Sequence, residues 1–381
     1  MPITLTKSNK FGVEVLKIYL ILASYSLILH TNSMDQNQGQ IDEIQKLLTK
    51  LNNGSMPADL KEKASQQIER ARLSLKYGGS LSQIDVTSKY IDWISSLPWD
   101  KKTEDNLDLN KVKIILDQNH YGMENIKKRV LEYLSVLAIQ KKNLGTEAIR
   151  APSLMFVGLV GTGKTTFAKS VAEALGRKFA RIPFGGLSSV LDLRGQSKTS
   201  AEAEPGAVLR AIRRVGTRNP VILLDELDRV DPQSRSAIMG VLVELLDPEQ
   251  NAQYVDYFID YPFDLSQVLF ISTANNSNSI PIAVLDRLEV VQMPSYTDDE
   301  KIMIAKKHIL PKLMKLAGLT SENLRIDDAL WEKITRPMGY DAGVRSLERS
   351  IETIIRKAAY KIMTGQGNSF LVNDQNLRDF I

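Results

Sequence analysis

The stretch "SLMFVGLVGTGKTT", residues 153–166, restricts this chain to a narrow set of folds. An apolar run leads into G-x-x-x-x-G-K-[ST], with Gly158, Gly163, Lys164 and Thr165 at the fixed positions. The pattern needs a buried strand that turns sharply into a helix. Its glycines let backbone N–H groups curl around phosphate oxygens, and the helix N-terminus adds the positive end of its dipole. Gly158, Leu159, Val160, Gly161, Thr162 and Gly163 are therefore expected to cradle phosphates. Lys164 should reach the β- and γ-phosphates, and Thr165 should ligate Mg²⁺.

A second acidic element supports this. "VILLDELD" ends an apolar strand at Asp225, placed to hold the metal directly or through water, and Glu226 follows as a candidate base for the attacking water. "FISTANN" ends another strand at Asn275, a neutral group suited to positioning that water. "LDRLEVVQMP" offers Arg287 and "GYDAGVRSLER" offers Arg345, cations able to meet transition-state charge.

Around these motifs, short apolar runs at 153–158, 178–184, 220–225, 267–273 and 289–294 alternate with helical patterns over Lys164–Leu175 and Ser234–Leu246. Near-continuous apolar strands between helices predict a parallel sheet covered on both faces, an α/β fold. Beyond Pro294 the strand signals fade and helices follow to the end. Upstream, "ADLKEKASQQIERARLSL" puts Leu60, Ala64, Ile68 and Ala71 on one helical stripe, and "YIDWISSLPW" closes at Pro98. The expected division is an apolar leader over 1–33, a helical arm over 34–105, an α/β nucleotide-binding domain over 106–294 and a helical lid over 295–381.

Composition narrows the chemistry. With no cysteine, the chain supports neither a disulfide framework nor a thiolate metal site, and its three histidines lack metal-binding spacing. A net charge of +4 falls short of the basic footprint of a dedicated nucleic-acid binder. The apolar run Ile18–Leu29 is short for a membrane span, and the leader lacks the arginines of a mitochondrial presequence. No membrane association is expected unless that leader is genuine.

The order of these motifs resembles the AAA+ ATPases. Within that group, "LLDELD", "LVELLDPEQN", "YPFDLSQVLFISTAN", "VLDRLEVVQMPSYTDDEK" and "AGVRSLER" resemble the ATP-dependent Lon protease family. The likeness reaches upstream through "LDQNHYGMENIKKRVLEYL" and covers roughly residue 42 to the end. It implies an AAA+ three-layer core with a five-stranded parallel sheet, a helical arm before it, an all-α lid after it, and a ring of six. MgATP is the implied cofactor, and unfolded or damaged protein the implied partner. His120, Tyr121 and Gly122 would lie near the adenine. Asn275 would be the first sensor, Arg345 the second, and Arg287 an arginine finger acting in trans.

The resemblance also sets expectations where the sequence departs from it. The family's proteolytic domain would start about where the chain reaches Ile381, so no Ser-Lys peptidase activity is expected from this polypeptide alone. In "RGQSKTSAEAEPG" the family's aromatic–aliphatic gripping pair falls on Ser200 and Ala201, beside Glu202 and Glu204, so a weak or narrowed grip is expected. An intracellular, soluble location follows, an organelle matrix, peroxisomal before mitochondrial. The alternatives are a nucleic-acid-remodelling AAA+ ATPase, which would need a basic and often aromatic track, or a nucleotide-binding subunit without independent activity.

Overall fold

A computed structural model describes residues 43–77, 82–144, 152–199, 202–336 and 343–381. The apolar leader, Ser200 and Ala201 lie outside these residues. The chain divides into two compact units, one ending at Ser96 and one running from Leu97 to Ile381.

The first unit contains α1 (43–53), α2 (Ala58–Lys76) and α3 (Ser82–Ser96). Leu60, Ala64, Ile68 and Ala71 are all buried, as their spacing predicts, in the same unit as Leu47, Leu51, Ile91 and Ile94. Each buried leucine or isoleucine contributes about 2 kcal/mol.

The second unit holds α4 (Leu109–Asn119), α5 (Glu124–Leu144) and the α/β core. Its strands are β1 (Ser153–Val157), β2 (Phe179–Pro183), β3 (Val221–Asp225), a hairpin of β4 (Tyr254–Asp256) with β5 (Tyr261–Phe263), β6 (Leu269–Ala274) and β7 (Leu288–Gln292). Five of them form one parallel sheet in the order β2-β3-β6-β1-β7. Helices α6 (Lys164–Ala174), α7 (Val190–Arg194), α8 (Ala207–Val215), α9 (Arg235–Leu246) and α10 (Ile282–Leu285) fill the connections. Leu154, Phe156, Val221, Leu223 and Ile271 pack with residues of α4, α5 and α6. Met155, Ile222, Leu224 and Phe270 are equally buried and alternate to the other face. Both faces are covered, so every residue of β1 and β3 is apolar or buried.

Residues 97–105 fold with this unit rather than with the arm. Arg218 donates its backbone N–H to Lys101 at 2.8 Å, and Arg177 grips Asp105 through two nitrogens at 2.7 and 2.8 Å. Burial alone would raise the Asp105 pKa, but Arg177 and Lys141 outweigh it and hold the carboxyl below its ordinary range.

The lid comprises α11 (Asp298–Ile304), a π turn over Ala305–Ile309, α12 (Leu310–Leu316), β8 (Leu324–Ile326), α13 (Trp331–Thr335), α14 (Arg345–Met363), β9 (Phe370–Val372) and α15 (Leu377–Phe380). Thr297 and Glu300 form a capping box that starts α11. Pro311 offers no N–H to continue the α ladder, and the helix widens just before it. Trp331, Ile334, Leu347, Ile351, Ile354 and Phe380 belong to the lid's own core. The lid is helical with one addition, the short parallel pair β8–β9.

The base of the loop at 194–206 is pinned to the β4–β5 hairpin. Asp256, fully buried, accepts N–H groups from Gly206 at 2.7 Å, Phe258 at 2.9 Å and Ile259 at 3.2 Å. Burial pushes its pKa up to about 6 against those three donors. A folded pKa above the unfolded one stabilises the fold at low pH, and that contribution disappears as pH rises through the folded value. Between pH 7 and about pH 4.5 the unsubstituted chain should therefore gain melting temperature relative to Asp256→Asn. Parallel pH responses in thermal melts would refute this.

Candidate nucleotide site

The sheet order places the site. β1 lies between β6 and β7, and its chain crosses to β2 on one side while β6 crosses to β7 on the other. Such a switch point opens a crevice at the carboxyl ends of the strands. Into it converge the loop 158–163 after β1, Asp225 at the end of β3 and Asn275 just past β6.

The loop closes on itself before α6. Gly161 and Gly163 adopt φ of 84° and 90°, and Gly163 is the N-cap of α6. Lys164 donates to the carbonyls of Gly158 at 2.6 Å and Leu159 at 2.9 Å, and to Asn275 Oδ1 at 3.2 Å. Burial lowers its pKa, an effect opposed by Asp228, Asp225 and Glu226 and reinforced by Arg345.

Asp225 is buried and accepts from the Thr273 hydroxyl, while Arg181 Nε donates to its other oxygen at 2.6 Å. Thr165 Oγ1 lies 3.4 and 3.5 Å from the two carboxylate oxygens. A hydroxyl and a carboxylate this close are the hard donors a small divalent cation prefers, so the pair fits Mg²⁺. Glu226 takes a left-handed backbone, φ 61°, and donates its N–H to Thr273 at 2.9 Å. One threonine thus steadies both acidic residues.

Arg345 begins α14 beside the loop. Val344 donates its N–H to the Gly161 carbonyl at 3.1 Å, and Gly343 packs so tightly that a Cβ there would lie 2.4 Å from the Gly161 carbonyl carbon. Gly343→Ala must force the two backbones apart, a strain of the overpacking kind. Fluorescent-ADP affinity should fall about tenfold, about 1.4 kcal/mol. Gly240→Ala, where a Cβ meets open space, should bind as before. Equal affinities in the two variants would contradict a role for the Gly161–Gly343 contact in binding.

Arg287 sits elsewhere. Ser153, at the start of β1, donates its N–H to the Arg287 carbonyl at 3.2 Å, whereas the phosphate loop follows the other end of β1. A five-residue strand separates them by about 15 Å. Arg287 instead pairs with Asp247 at 3.0 Å and donates to the Ala283 carbonyl at 2.9 Å.

His120 also does other work. Its ring is buried against Phe167, centroids 4.6 Å apart, with Nε2 2.9 Å from Ser170 Oγ. Burial, with Lys127 and His308 nearby, lowers its pKa to about 4, so the imidazole is neutral. Tyr121 and Gly122 are partly exposed. Four further residues contact the motifs without being singled out in the sequence: Arg181, Thr273, Asp228 and Tyr296. The Tyr296 hydroxyl donates to the Thr162 carbonyl at 3.1 Å. Strand alternation was the available signal for Thr273, two residues before Asn275.

Comparison with known proteins agrees with this geometry. The profile of the ATPase family associated with various cellular activities (AAA) matches residues 154–296, and that of the Lon protease AAA+ ATPase lid domain matches residues 315–370. A Lon protease from Lawsonia intracellularis is 42% identical over 340 residues, covering 89% of this chain and 40% of that protein. Lon protease 1 of Bacillus subtilis is 40% identical over 348 residues, 91% of this chain and 44% of that protein. The chain thus spans about two fifths of these relatives' length. Both are bacterial and lend nothing to the expectation of an organelle matrix. Among the described residues, no helix is long and apolar enough to cross a membrane.

Proposed function

Because the chain carries the AAA+ ATPase module and lid of the Lon protease family, we propose that it hydrolyses MgATP within a hexameric ring that remodels unfolded or damaged protein for degradation. The convergence of Lys164, Thr165, Asp225, Glu226 and Asn275 on one crevice carries this reading.

Lys164 gives up the carbonyls of Gly158 and Leu159 for the β- and γ-phosphates, exchanging neutral acceptors for charged ones. Thr165 and Asp225 would hold Mg²⁺, which would neutralise charge on the phosphates. Glu226 takes a proton from water as the water oxygen bonds to the γ-phosphorus. The bond from that phosphorus to the bridging oxygen breaks, leaving ADP and phosphate. Arg345, on the lid beside Gly161, meets the charge from above. The short reach of Arg287 within its own subunit supports its action on a neighbour's nucleotide, and so a ring.

The adenine would sit against the segment of Tyr121 and Gly122, with His120 behind it as packing. The polar loop carrying Glu202 and Glu204 would grip unfolded chains weakly or favour basic ones. Steady-state ATPase assays with sedimentation, with and without a denatured protein, test the proposal. MgATP turnover above a Lys164→Ala background, raised by the denatured protein, is expected. Turnover equal to that background would overturn the ATPase reading, and no response to denatured protein would overturn the motor.

A further inference from the structure

We infer that Asp228 is a positioning residue: it fixes the sense of the Asn275 side-chain amide, so that Asn275 turns its carbonyl oxygen, and not its NH₂ group, to the nucleotide. The inference rests on the ATP-hydrolysing role proposed above.

An asparagine amide has the same shape either way round, and only its partners decide which end is oxygen. Here each partner has a single polarity. Asn275 Nδ2 donates to Asp228 Oδ2 at 3.2 Å, and Asn275 Oδ1 accepts from Lys164 Nζ at 3.2 Å. An ammonium has only protons to give, and an ionised carboxylate only lone pairs. Reversing the amide would set NH₂ against NH₃⁺ and oxygen against carboxylate, losing both bonds. Chemistry therefore dictates the sense.

Asp228 is built for this task. It lies in the 3₁₀ turn Leu227–Arg229 whose N-cap is Glu226, so one turn presents both carboxylates. Its other oxygen, Oδ1, is buried and accepts no hydrogen bond among the described residues. Its Oδ2 accepts the Asn275 amide.

The sense matters once Lys164 has moved to the phosphates. Asn275 Oδ1 then needs a new donor, and the attacking water has two O–H groups. Glu226 accepts and removes one proton. Asn275 holds the other, which leaves on the phosphate. The water's lone pair stays free for phosphorus, and the bridging P–O bond breaks as before. A reversed amide would donate into that lone pair and oppose the attack.

Asp228→Asn is nearly isosteric but can give or accept, so it releases the amide. Its ATP kcat should fall about tenfold or more with KM within about threefold, the mark of an interaction made mainly in the transition state. Asn275→Asp alone sets two carboxylates together and should also be slow. The double variant Asp228→Asn/Asn275→Asp restores one donor facing one acceptor, keeps the charge, and leaves only an acceptor at 275. It should exceed either single variant about fivefold or more. An unchanged kcat in Asp228→Asn, or a double variant no faster than the singles, overturns the proposal. Where the single variant fails to bind fluorescent ADP, the double variant decides. Independently of turnover, NMR of nucleotide-free protein labelled with ¹⁵N-asparagine reads the amide directly. The Asn275 NH₂ signal, identified by its loss in Asn275→Asp, should move upfield in Asp228→Asn, and an unmoved signal overturns the proposal. An unsubstituted chain without turnover would sink the ATPase reading instead, with the NMR result still deciding the sense of the amide.

Discussion

Glu226→Gln should stop ATP turnover, by about 10²- to 10⁴-fold, while fluorescent ATP and ADP bind as before. The substitution keeps the side chain's length and leaves the backbone N–H of residue 226 on Thr273. What it removes is the ability to take a proton from water. The left-handed backbone at this position, φ 61°, costs free energy that only the surrounding structure sustains. The residue comes just after the buried run of β3, and its carboxylate lies 3.5 Å from Arg229. Retained turnover would sink the assignment of Glu226. Lost binding would mean instead that the residue builds the site.

The second large effect is expected between subunits. Arg287→Ala and Lys164→Ala should each abolish turnover alone, since an arginine finger is worth about 10³- to 10⁵-fold. Mixed, they should recover part of it. A ring of both contains sites where the Arg287→Ala subunit keeps Lys164 and its neighbour keeps Arg287. The motive is positional: Arg287 lies by the start of β1, bound to Asp247, and its own phosphate loop follows the far end of that strand. Action in trans would require Arg287 to leave Asp247. Steady-state assays across mixing ratios decide it, and a mixture as inactive as its components counts against action in trans.

Much of this architecture was legible in the sequence because it repeats in the residues what burial demands of them. β1 and β3 had to be apolar along all but one end, since both faces of the sheet are covered, and the runs at 153–158 and 220–225 show it. The phosphate loop and its lysine were equally plain, because adjacent residues build them. What stayed hidden depends on register. Arg181 reaches Asp225 only because β2 pairs with β3, and Thr273 reaches both acids only because β6 lies beside β3. The role of Asp256 needed the hairpin, whose three-residue strands are too short to carry a period. The same brevity hid β8 and β9. His120 carries a further lesson: its ring packs on Phe167 and lies 2.9 Å from Ser170 Oγ, partners that only the fold brings to it.

The contact between Gly161 and Gly343 is backbone against backbone. Neither glycine has a side chain, so close packing and the backbone hydrogen bond from Val344 to Gly161 are what join the lid to the loop there. Under the proposed function, a nucleotide that reshapes the loop would move the lid as a cam moves a follower, whatever its charge. Such a joint is blind to the difference between ATP and ADP. Under the proposed function, telling them apart would fall to the first residue beyond it that carries a charge, Arg345, so feeling that a nucleotide is there would be separate from knowing which one it is.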